Sequence, residues 1–506
     1  MMISPNPPIA ANDRPLWTAD QAASALASES QLQRPLPDGT RWAATGVCID
    51  SRTLAPGDLF VAIVGERFDG HDFVATALTE GGAAAALVSQ DPAVAWPDLD
   101  PARFLVVEDT LEGLASLARF ARARFTGKLL GITGSVGKTS TKEMAARMLR
   151  AFGTVHATQG NLNNHIGVPL TLARLPANAD FAVIEMGMNH PGEIAPLTHL
   201  SRPHAALVTT VTEAHLENFD SIDGIAEEKA DIFLGLDGGG AAIVNLDIAH
   251  TERLKVRAAD VGALVAGFGH AKGSHGRLEN CTTTQDQTDV TASIGGKPLQ
   301  YSIGTPGAHW AMNSLAVLCA LSVFGLDPEI GARTLADLRP PKGRGARQEV
   351  SMAGGTLSII DETYNASPES VRAAVNTLAL AQTGPGGRRI AVLGDMLELG
   401  PSGPALHAGL AAVLMEHNID LVFTAGPLSA HLHQALPQKL RAGHSPESLS
   451  LAPLVREAVR PGDVVMIKGS NGSRMGVIVQ SLIALETGAQ DASVSSASAP
   501  SSPQPR

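Results

Sequence analysis

The sequence predicts an α/β protein built from three domains, and three observations support this fold class. The chain has 506 residues, too many for one ordinary hydrophobic core, which suggests about three domains of roughly 150 residues each. Near-continuous apolar segments, typical of parallel strands covered on both faces, recur along the chain. Its 51 glycines supply the many tight turns that alternating strands and helices need.

The composition divides the chain into four parts. Residues 1–125 mix short apolar segments with Gly and Asp turns and predict a small α/β domain. Residues 126–340 predict a central domain with a mostly parallel sheet, and residues 341–488 predict a doubly wound, Rossmann-like domain. Residues 489–506 are rich in Ser, Ala, Pro and Gln, so we expect a disordered tail. The Pro- and Gly-rich segment 338–343 predicts a hinge between the second and third domains.

Strand predictions rest on short apolar segments that end at turns. A helical pattern covers Leu111–Phe125, and a second amphipathic helix begins near Thr139. The predicted strands are Leu59–Val64, Ala83–Val88, Leu129–Thr133, Phe181–Ile184, Ala205–Val211, Ala241–Val244, Ile390–Leu393, Leu421–Thr424 and Val464–Ile467.

Charge and cysteine content exclude several classes of protein. The formal net charge of -12 argues against a protein that binds the nucleic-acid backbone. The three cysteines lie far apart, which indicates neither a disulfide framework nor a zinc site. No segment approaches 18 consecutive apolar residues and the N-terminus lacks an apolar signal core, so we expect a cytoplasmic protein without integral membrane association. We also expect a monomer.

The segment Thr133–Ser140, with the sequence Thr-Gly-Ser-Val-Gly-Lys-Thr-Ser, predicts a phosphate-binding loop. It lies between an apolar strand and a helix, where backbone N–H groups and the helix N-terminus can hold an anion. We expect Lys138 to contact the β- and γ-phosphates and the Thr139 hydroxyl to bind Mg²⁺. The first glycine of the general pattern should fall at Ile132, whereas Gly131 is one place early, so an ordinary strand-to-helix turn is the alternative. The predicted nucleotide-binding residues of the loop are Gly134, Ser135, Gly137, Lys138, Thr139 and Ser140.

Two further residues complete a predicted metal site with Thr139. Glu185 follows an apolar strand and should lie at its carboxyl end, where α/β sheets bind ligands and a carboxylate can hold a hard cation. His215 follows the next predicted strand and should lie at the same edge. A structural ion pair is the alternative for Glu185, and a satisfied surface or core histidine is the alternative for His215.

Four segments in this order resemble the central domain of the Mur ligase family, whose members form peptide bonds on UDP-muramoyl precursors. The resemblance covers about residues 45–475 and implies ATP and Mg²⁺ as cofactors. The four segments are the phosphate loop, Gly160–Pro169 (Gly-Asn-Leu-Asn-Asn-His-Ile-Gly-Val-Pro), Glu185–Gly187 and Ala214–Glu217.

Segments in the outer domains resemble the family member that adds D-alanyl-D-alanine to the UDP-muramoyl tripeptide in peptidoglycan precursor synthesis. The member that adds the third amino acid usually carries an Asp-Asn-Pro-Arg signature, which this sequence lacks. The resemblance therefore implies UDP-N-acetylmuramoyl-tripeptide and D-alanyl-D-alanine as substrates. The segments are Asp50–Arg52, Pro56–Ala62, Gly65–His71, Lys342–Gly345, Asp361–Ser370 and Leu393–Gly400.

The resemblance also implies roles for individual residues. Local turns are the alternative for each group, since Asp, Asn and Ser favour turns without any ligand. The implied UDP contacts are Asp50, Ser51 and Arg52; the residues implied to face nucleotide, metal or substrate are Asn163, Asn164, Tyr364 and Asn365; the implied ATP contacts outside the loop are Asn313, Arg344 and Asp361.

Lys229 is a candidate catalytic residue beside Lys138 and His215. Some family members carry a carbamylated lysine at a comparable place, and the carbamate is an anion that can bind a second Mg²⁺. In Glu227–Ile232 the alternative is a solvated helix with local ion pairs, and both interpretations stay open.

The implied reaction is an ATP-dependent ligation through an acyl phosphate, with hinges between three domains that close around the substrates. Two alternatives from this sequence remain. One is another ligase of the same family, adding diaminopimelate or lysine, or glutamylating folate. The other is a non-enzymatic nucleotide switch that uses the phosphate loop to control a partner protein.

Overall fold

The N-terminal part forms a small parallel sheet flanked by helices. The computed structural model of the protein describes residues 15–213 and 216–496. In chain order this part contains β1 (Trp17–Thr18), α1 (Ala19–Ser28), β2 (Ala43–Ala44), β3 (Gly46–Cys48), β4 (Asp58–Val61), α2 (Val74–Thr79), β5 (Ala85–Val88), α3 (Pro92–Ala95), β6 (Phe104–Val106) and α4 (Thr110–Arg124). The parallel sheet has the order β3-β4-β5-β6, and β1 pairs with β2 separately. Strand β4 ends at Val61, short of the predicted Val64, because Val64 pairs back with Asp69 in an isolated bridge.

The central part is a nine-stranded sheet with the order β15-β14-β13-β12-β11-β10-β7-β9-β8. Strands β7 to β13 run parallel to one another. Strand β14 then pairs antiparallel with both β13 and β15. Its elements are β7 (Lys128–Thr133), α5 (Lys138–Leu149), β8 (Val155–Ala157), α6 (Gly167–Ala173), β9 (Phe181–Glu185), α7 (Ile194–Ser201), β10 (Ala205–Val208), α8 (Ile222–Ala230), β11 (Ala241–Asn245), α9 (Thr251–Asp260), β12 (Leu264–Gly269), β13 (Gly276–Thr283), β14 (Thr288–Ile294), β15 (Lys297–Ile303), α10 (Ala308–Val323) and α11 (Pro328–Arg333).

Both faces of this sheet are covered, as its apolar strands require. Leu130 and Ile132 of β7 pack with Met144 of α5 in one core, while Leu129, on the other face of the strand, packs with Val168 of α6 in a second core. All five side chains are fully buried. Burial of each stabilises the fold by roughly 1.5–3 kcal/mol, which explains why β7 presents apolar residues to both sides.

Strand β10 ends at Val208, three residues before the predicted Val211. The chain leaves the sheet here because it bonds to the phosphate loop instead. Thr210 O accepts from the Ser135 N–H at 2.8 Å, and the Thr209 hydroxyl donates to Val136 O at 2.6 Å. The early end of β10 therefore supports the loop.

The C-terminal part is a six-stranded, doubly wound sheet with the order β16-β17-β21-β18-β19-β20, parallel except for β16. Its elements are β16 (Ala346–Met352), β17 (Gly355–Glu362), α12 (Pro368–Leu380), β18 (Arg389–Gly394), α13 (Gly403–Glu416), β19 (Leu421–Ala425), α14 (Ser429–Ala435), β20 (Arg441–Ser445), α15 (Ser448–Ala458), β21 (Val464–Lys468) and α16 (Gly476–Ser496).

The last helix, α16, overlaps the predicted disordered tail 489–506. Residues 489–496 are helical, because extending a helix from formed turns costs little compared with starting one. Residues 497–506 lie outside the described part of the chain. Across residues 15–213 and 216–496, no helix combines the length and the apolar character that crossing a membrane requires.

Helix α6 fastens the N-terminal part to the central part. Leu170 and Ala173 are buried in the core that the N-terminal sheet forms, although α6 belongs to the central part of the chain. The Trp17 indole N–H donates to Ala173 O at 2.9 Å, and Arg122 of α4 donates to Ser201 O at 2.6 Å. These contacts hold the two parts together.

Candidate active site

The loop between β7 and α5 has the backbone shape of an anion cradle. Gly134 (φ 146°) and Gly137 (φ 85°) adopt conformations that L side chains rarely enter. A Cβ at Gly134 would lie 1.9 Å from the Thr209 hydroxyl, and one at Gly137 would lie 2.9 Å from the Asn313 amide. Helix α5 begins directly after Gly137, so its N-terminus and the loop N–H groups point to the same place.

Lys138 lies back across this loop. Its Nζ donates to Gly134 O at 2.6 Å and makes a longer contact to Ser135 O at 3.4 Å. Enclosure lowers the pKa of Lys138, while the nearby Glu185 carboxylate opposes this shift. An anion bound in the loop would favour the charged ammonium, as the prediction for a phosphate-binding lysine requires.

Glu185 and Thr139 meet beside the loop. The Thr139 hydroxyl donates to Glu185 Oε1 at 3.1 Å, and the Asn163 amide donates to the same oxygen at 2.8 Å. Glu185 is 1% exposed, and its Oε2 has no hydrogen-bond partner among the described residues. A buried carboxylate oxygen next to a hydroxyl provides the hard oxygen ligands that Mg²⁺ prefers. The donor set therefore fits a magnesium ion.

The third predicted metal ligand, His215, lies outside the described residues, as does Ala214. Within residues 15–213 and 216–496, no group of three or more His, Cys, Asp or Glu side chains could hold a metal ion alone. The role of His215 stays a prediction.

Arg344 reaches the loop from the C-terminal part. Its Nη2 donates to the Thr139 hydroxyl at 2.9 Å, and its guanidinium carbon lies 3.8 Å from the centre of the Tyr364 ring. Gly343 (φ 78°) and Gly345 (φ 97°) give the chain the turns that bring Arg344 across the cleft. Arg344 is therefore placed where it can contact the phosphates of a nucleotide.

A cleft of about 790 Å³ separates the phosphate loop from the C-terminal part. Asn313 and His309 of α10 line it, together with Tyr364 and Asn365. Burial, with a smaller contribution from the Lys468 ammonium, lowers the pKa of His309 to about 4. The structure thus brings together the predicted residues of the loop, α10 and the segment after β17.

Asp361, to which the resemblance assigns the ribose of ATP, lies near the end of β17. It is 1% exposed, and its Oδ1 accepts hydrogen bonds from the Thr363 N–H and hydroxyl at 3.1 and 2.6 Å. Asp361 thus shapes the turn that presents Tyr364 and Asn365, which is the turn alternative given above. A ribose contact from its second oxygen stays a prediction.

Glu362 and Lys468 line the cleft and were not predicted. The Lys468 Nζ lies 3.3 Å from Glu362 Oε2 and donates to Asn365 O at 2.9 Å. Each ends a strand, β17 or β21, at the carboxyl edge of the sheet. Charged residues at strand ends next to apolar runs were the signal that could have identified them.

The Asn-rich segment divides between two roles. Asn163 contacts Glu185, whereas Asn164 Oδ1 accepts from the N–H of Gly167, the first residue of α6, at 2.9 Å. Asn164 therefore bonds the backbone just before and at the start of α6. Direct contact between either side chain and a substrate stays a prediction.

Lys229 is buried, not solvated. It is 1% exposed, so the interpretation as a solvated helix is wrong for this residue. Burial, with the nearby Lys138 ammonium, lowers the pKa of Lys229 well below its ordinary value. Its neighbour Glu228 accepts from the N–H groups of Gly192 and Ile194 at 2.6 and 2.7 Å. Among the described residues we find no ion pair of Lys229.

The triplet Asp50-Ser51-Arg52 lies apart from the central cleft, directly after β3. The Arg52 Nη2 lies 2.7 Å from Asp50 Oδ2, and the Arg52 N–H donates to Asp50 Oδ1 at 3.0 Å. Hydrogen bonds from Arg52 lower the pKa of Asp50. The Asx-type turn is thus present, and the 85% exposed Arg52 side chain remains open to a ligand.

A phosphate loop, an unsatisfied carboxylate beside it and a cleft between two α/β parts define a nucleotide-dependent enzyme of several domains. Sequence models for three domains match this chain: "Mur ligase family, catalytic domain" at residues 43–122, "Mur ligase middle domain" at 132–321 and "Mur ligase, glutamate ligase domain" at 346–471. The chain belongs to the Mur ligase family.

Curated relatives match over most of their length. A Bacillus subtilis protein named UDP-N-acetylmuramoyl-tripeptide--D-alanyl-D-alanine ligase is 38% identical over 442 residues, covering 87% of this chain and 93% of the relative. The Escherichia coli protein of the same name is 36% identical over 439 residues, covering 86% and 93%.

Solved structures agree with the fold. MurF from Acinetobacter baumannii superimposes with a TM-score of 0.79 at 28% identity, covering 92% of this chain and 98% of that chain. MurF ligase from Thermotoga maritima, solved in complex with ADP, gives a TM-score of 0.73 at 28% identity, covering 88% and 98%. The predicted α/β fold with several domains is confirmed.

Proposed function

We propose that this chain is the ATP-dependent ligase that joins D-alanyl-D-alanine to UDP-N-acetylmuramoyl-tripeptide. The observation that carries the proposal is the match to curated relatives of that name across all three parts of the chain. The meeting of Thr139, Glu185 and Arg344 at the phosphate loop supports it, since this arrangement suits a nucleotide whose γ-phosphate is transferred.

The reaction has two steps. In the first, a carboxylate oxygen of the tripeptide attacks the γ-phosphorus of ATP, the bond from that phosphorus to the ADP oxygen breaks, and an acyl phosphate forms. In the second, the free amine of the dipeptide attacks the acyl carbon, loses a proton, and expels phosphate as the amide forms. Activation is needed because a free carboxylate is a poor electrophile.

The residues of the loop hold the nucleotide in this proposal. Lys138 and the N–H groups before α5 bind the phosphates, and Arg344 lies close enough to join them. Thr139, Glu185 and His215 are the residues that would hold Mg²⁺, which supplies positive charge against the phosphate oxygens. Asn313 and His309 line the cleft, and we propose that the adenine binds beside them.

Lys229 takes the role of a carbamylated residue. Its lowered pKa favours the neutral amine, which can add to carbon dioxide and release one proton to give an anionic carbamate. That anion would face the positive charge of Lys138. With ¹³C-bicarbonate, wild-type protein should show a carbamate carbon signal that Lys229→Met lacks; no difference between the two spectra would remove this role.

Asp50, Ser51 and Arg52 bind the UDP end of the tripeptide substrate in the proposal. Their place after β3, at the carboxyl edge of a parallel sheet, is where α/β sheets bind ligands. The substrates ATP and UDP-linked precursors are cytoplasmic metabolites, so we place the enzyme in the cytoplasm.

A phosphate-release assay tests the function. UDP-muramoyl peptides of two, three and five residues are combined with single amino acids or D-alanyl-D-alanine, and Lys138→Ala serves as the inactive control. Release that needs both the tripeptide and the dipeptide is the expected result. Release that needs a single amino acid would identify another ligase of the family, and ATP hydrolysis without any amide product would favour a nucleotide switch.

A further inference from the structure

Arg174, the residue after α6, joins the predicted UDP-binding edge to the ATP-binding part. Its Nε donates to Val47 O at 2.6 Å. Strand β3, which contains Val47, is the edge strand of the N-terminal sheet, so its outer carbonyl has no neighbouring strand to bond with. Arg174 supplies that bond from the other part of the molecule.

The environment of Arg174 shows a built contact. Burial lowers the pKa of the Arg174 guanidinium, and the Cys48 thiol and the Asp58 carboxylate oppose this shift. Desolvating a guanidinium is costly unless it is well bonded, and the hydrogen bonds to Val47 O and Gln159 Oε1 offset part of that cost. Val47 precedes the Asp50-Ser51-Arg52 turn by three residues, so Arg174 fixes the strand from which that turn begins.

The other end of α6 is tied to the metal site. Asn164 accepts from the N–H of Gly167, the first residue of α6, and its neighbour Asn163 donates to Glu185. A side chain on Gly167, the first residue of α6, would approach the Leu162 backbone to 2.3 Å, so the Asn-rich turn and the helix are packed tightly. Arg174 Nη1 also contacts Gln159 Oε1 at 3.5 Å. The segment Asn163–Arg174, which contains α6, thus links Glu185 to β3.

We propose that Arg174 is a positioning residue for the ligation: it holds the UDP-binding edge in register with the phosphate loop, so that the tripeptide carboxylate meets the γ-phosphate. The inference rests on the proposed function. A displacement of about 1 Å between reacting groups can cost on the order of 100-fold in rate, so a contact that sets the position of β3 controls turnover without touching a substrate.

Arg174→Gln tests the inference, because Trp17 and Arg122 keep the two parts attached when this anchor is lost. Its matched control is Arg150→Gln, an exposed arginine of the central part. For Arg174→Gln we expect kcat to fall at least tenfold while the separate dissociation constants of UDP-tripeptide and of an ATP analogue stay within twofold. Arg174→Lys, which keeps a positively charged hydrogen-bond donor, should recover part of kcat.

A second readout follows the geometry without any catalysis. Spin labels at Ala55→Cys, beside the triplet, and at the exposed Val256→Cys of α9 measure the distance between the parts, with Cys281→Ser removing the partly exposed native thiol. The distance distribution should be narrow in the parent and in Arg150→Gln, and shifted or broader in Arg174→Gln.

The outcomes are separable. Weaker binding of UDP-tripeptide with unchanged kcat would make Arg174 a substrate contact, and unchanged kcat with an unchanged distance distribution would also overturn the inference. An equal loss of kcat, both affinities and melting temperature would show a purely structural role. If wild type and Arg150→Gln yield no amide product, the proposed function fails, whereas the distance measurement still decides whether Arg174 sets the geometry.

Discussion

Glu185 is a buried carboxylate with one oxygen left without a partner in the described part of the chain, and such a group lowers the stability of the protein without its ligand. Glu185→Gln keeps the oxygen that Thr139 and Asn163 contact while removing the charge. We expect the free energy of unfolding to rise by about 1–2 kcal/mol and phosphate release to fall roughly 100-fold. Urea unfolding and the release assay measure both, with the exposed Glu252→Gln as control. Lower stability of Glu185→Gln would contradict this account.

Lys229 should make the stability of the folded protein depend on pH. Its folded pKa lies below the ordinary value of 10.5, so between those two values the unfolded chain binds more protons and stability rises with pH. Lys229→Met removes that dependence. We expect the variant to exceed wild type in stability most at pH 7 and progressively less toward pH 10, in buffers free of carbon dioxide. A stability difference that is constant across this range would mean that Lys229 is charged in the folded protein.

For single residues, the sequence predicted which side chains take part in the site better than it predicted which groups those side chains contact. The meeting of Thr139 and Glu185 followed from strand ends at one sheet edge, and the structure places them in contact. Asp361 could not be assigned in the same way, because whether a carboxylate faces the cleft or its own turn depends on side-chain torsions. Arg344 was named by resemblance, whereas its hydrogen bond to Thr139 depends on how two domains meet.

Among elements, the phosphate loop depends on backbone space that only glycine leaves. A Cβ at Gly134 would collide with the Thr209 hydroxyl and would also be strained at φ 146°. For Gly134→Ala we expect a loss of at least about 2 kcal/mol in the free energy of unfolding and no binding of an ATP analogue. Gly409→Ala is the matched control, because its site in α13 has nothing within 4 Å. It should be neutral or stabilising; equal behaviour of the two variants would show that loop geometry is not limiting.

The ends of a strand could be predicted where its whole apolar segment is buried within a sheet. Strand β7 begins one residue before its prediction and ends at the same Thr133. The exception, β10, has an apolar residue at 211 that suggested a longer strand, but the Thr210 carbonyl bonds to Ser135 and the Thr209 hydroxyl bonds to Val136 instead. Such a choice between a sheet and a loop is decided by tertiary contacts that local pattern does not contain.

In the whole molecule, the two predicted hinges, one on each side of the central part, differ in how firmly the parts are attached. The N-terminal part is fastened by Trp17, Arg122 and Arg174, whereas the segment 338–343 leads into the C-terminal part with Arg344 as a polar contact to the loop. Hinge motion should therefore concern the C-terminal part. We expect X-ray scattering to show compaction when an ATP analogue and UDP-tripeptide are both present, and less with either alone. Identical scattering in all states would reject the hinge.

Helix α6 contributes side chains to the N-terminal core, which affects whether the N-terminal part can fold alone. Leu170 and Ala173 fill that core from beyond residue 125, where the domain appeared to end in the sequence. A recombinant fragment cut at residue 125 would leave its apolar interior open to water and prone to aggregation. A fragment that folds alone would thus have to extend at least to Arg174, about the first third of the chain, so the first domain cannot complete its core until α6 has been synthesised.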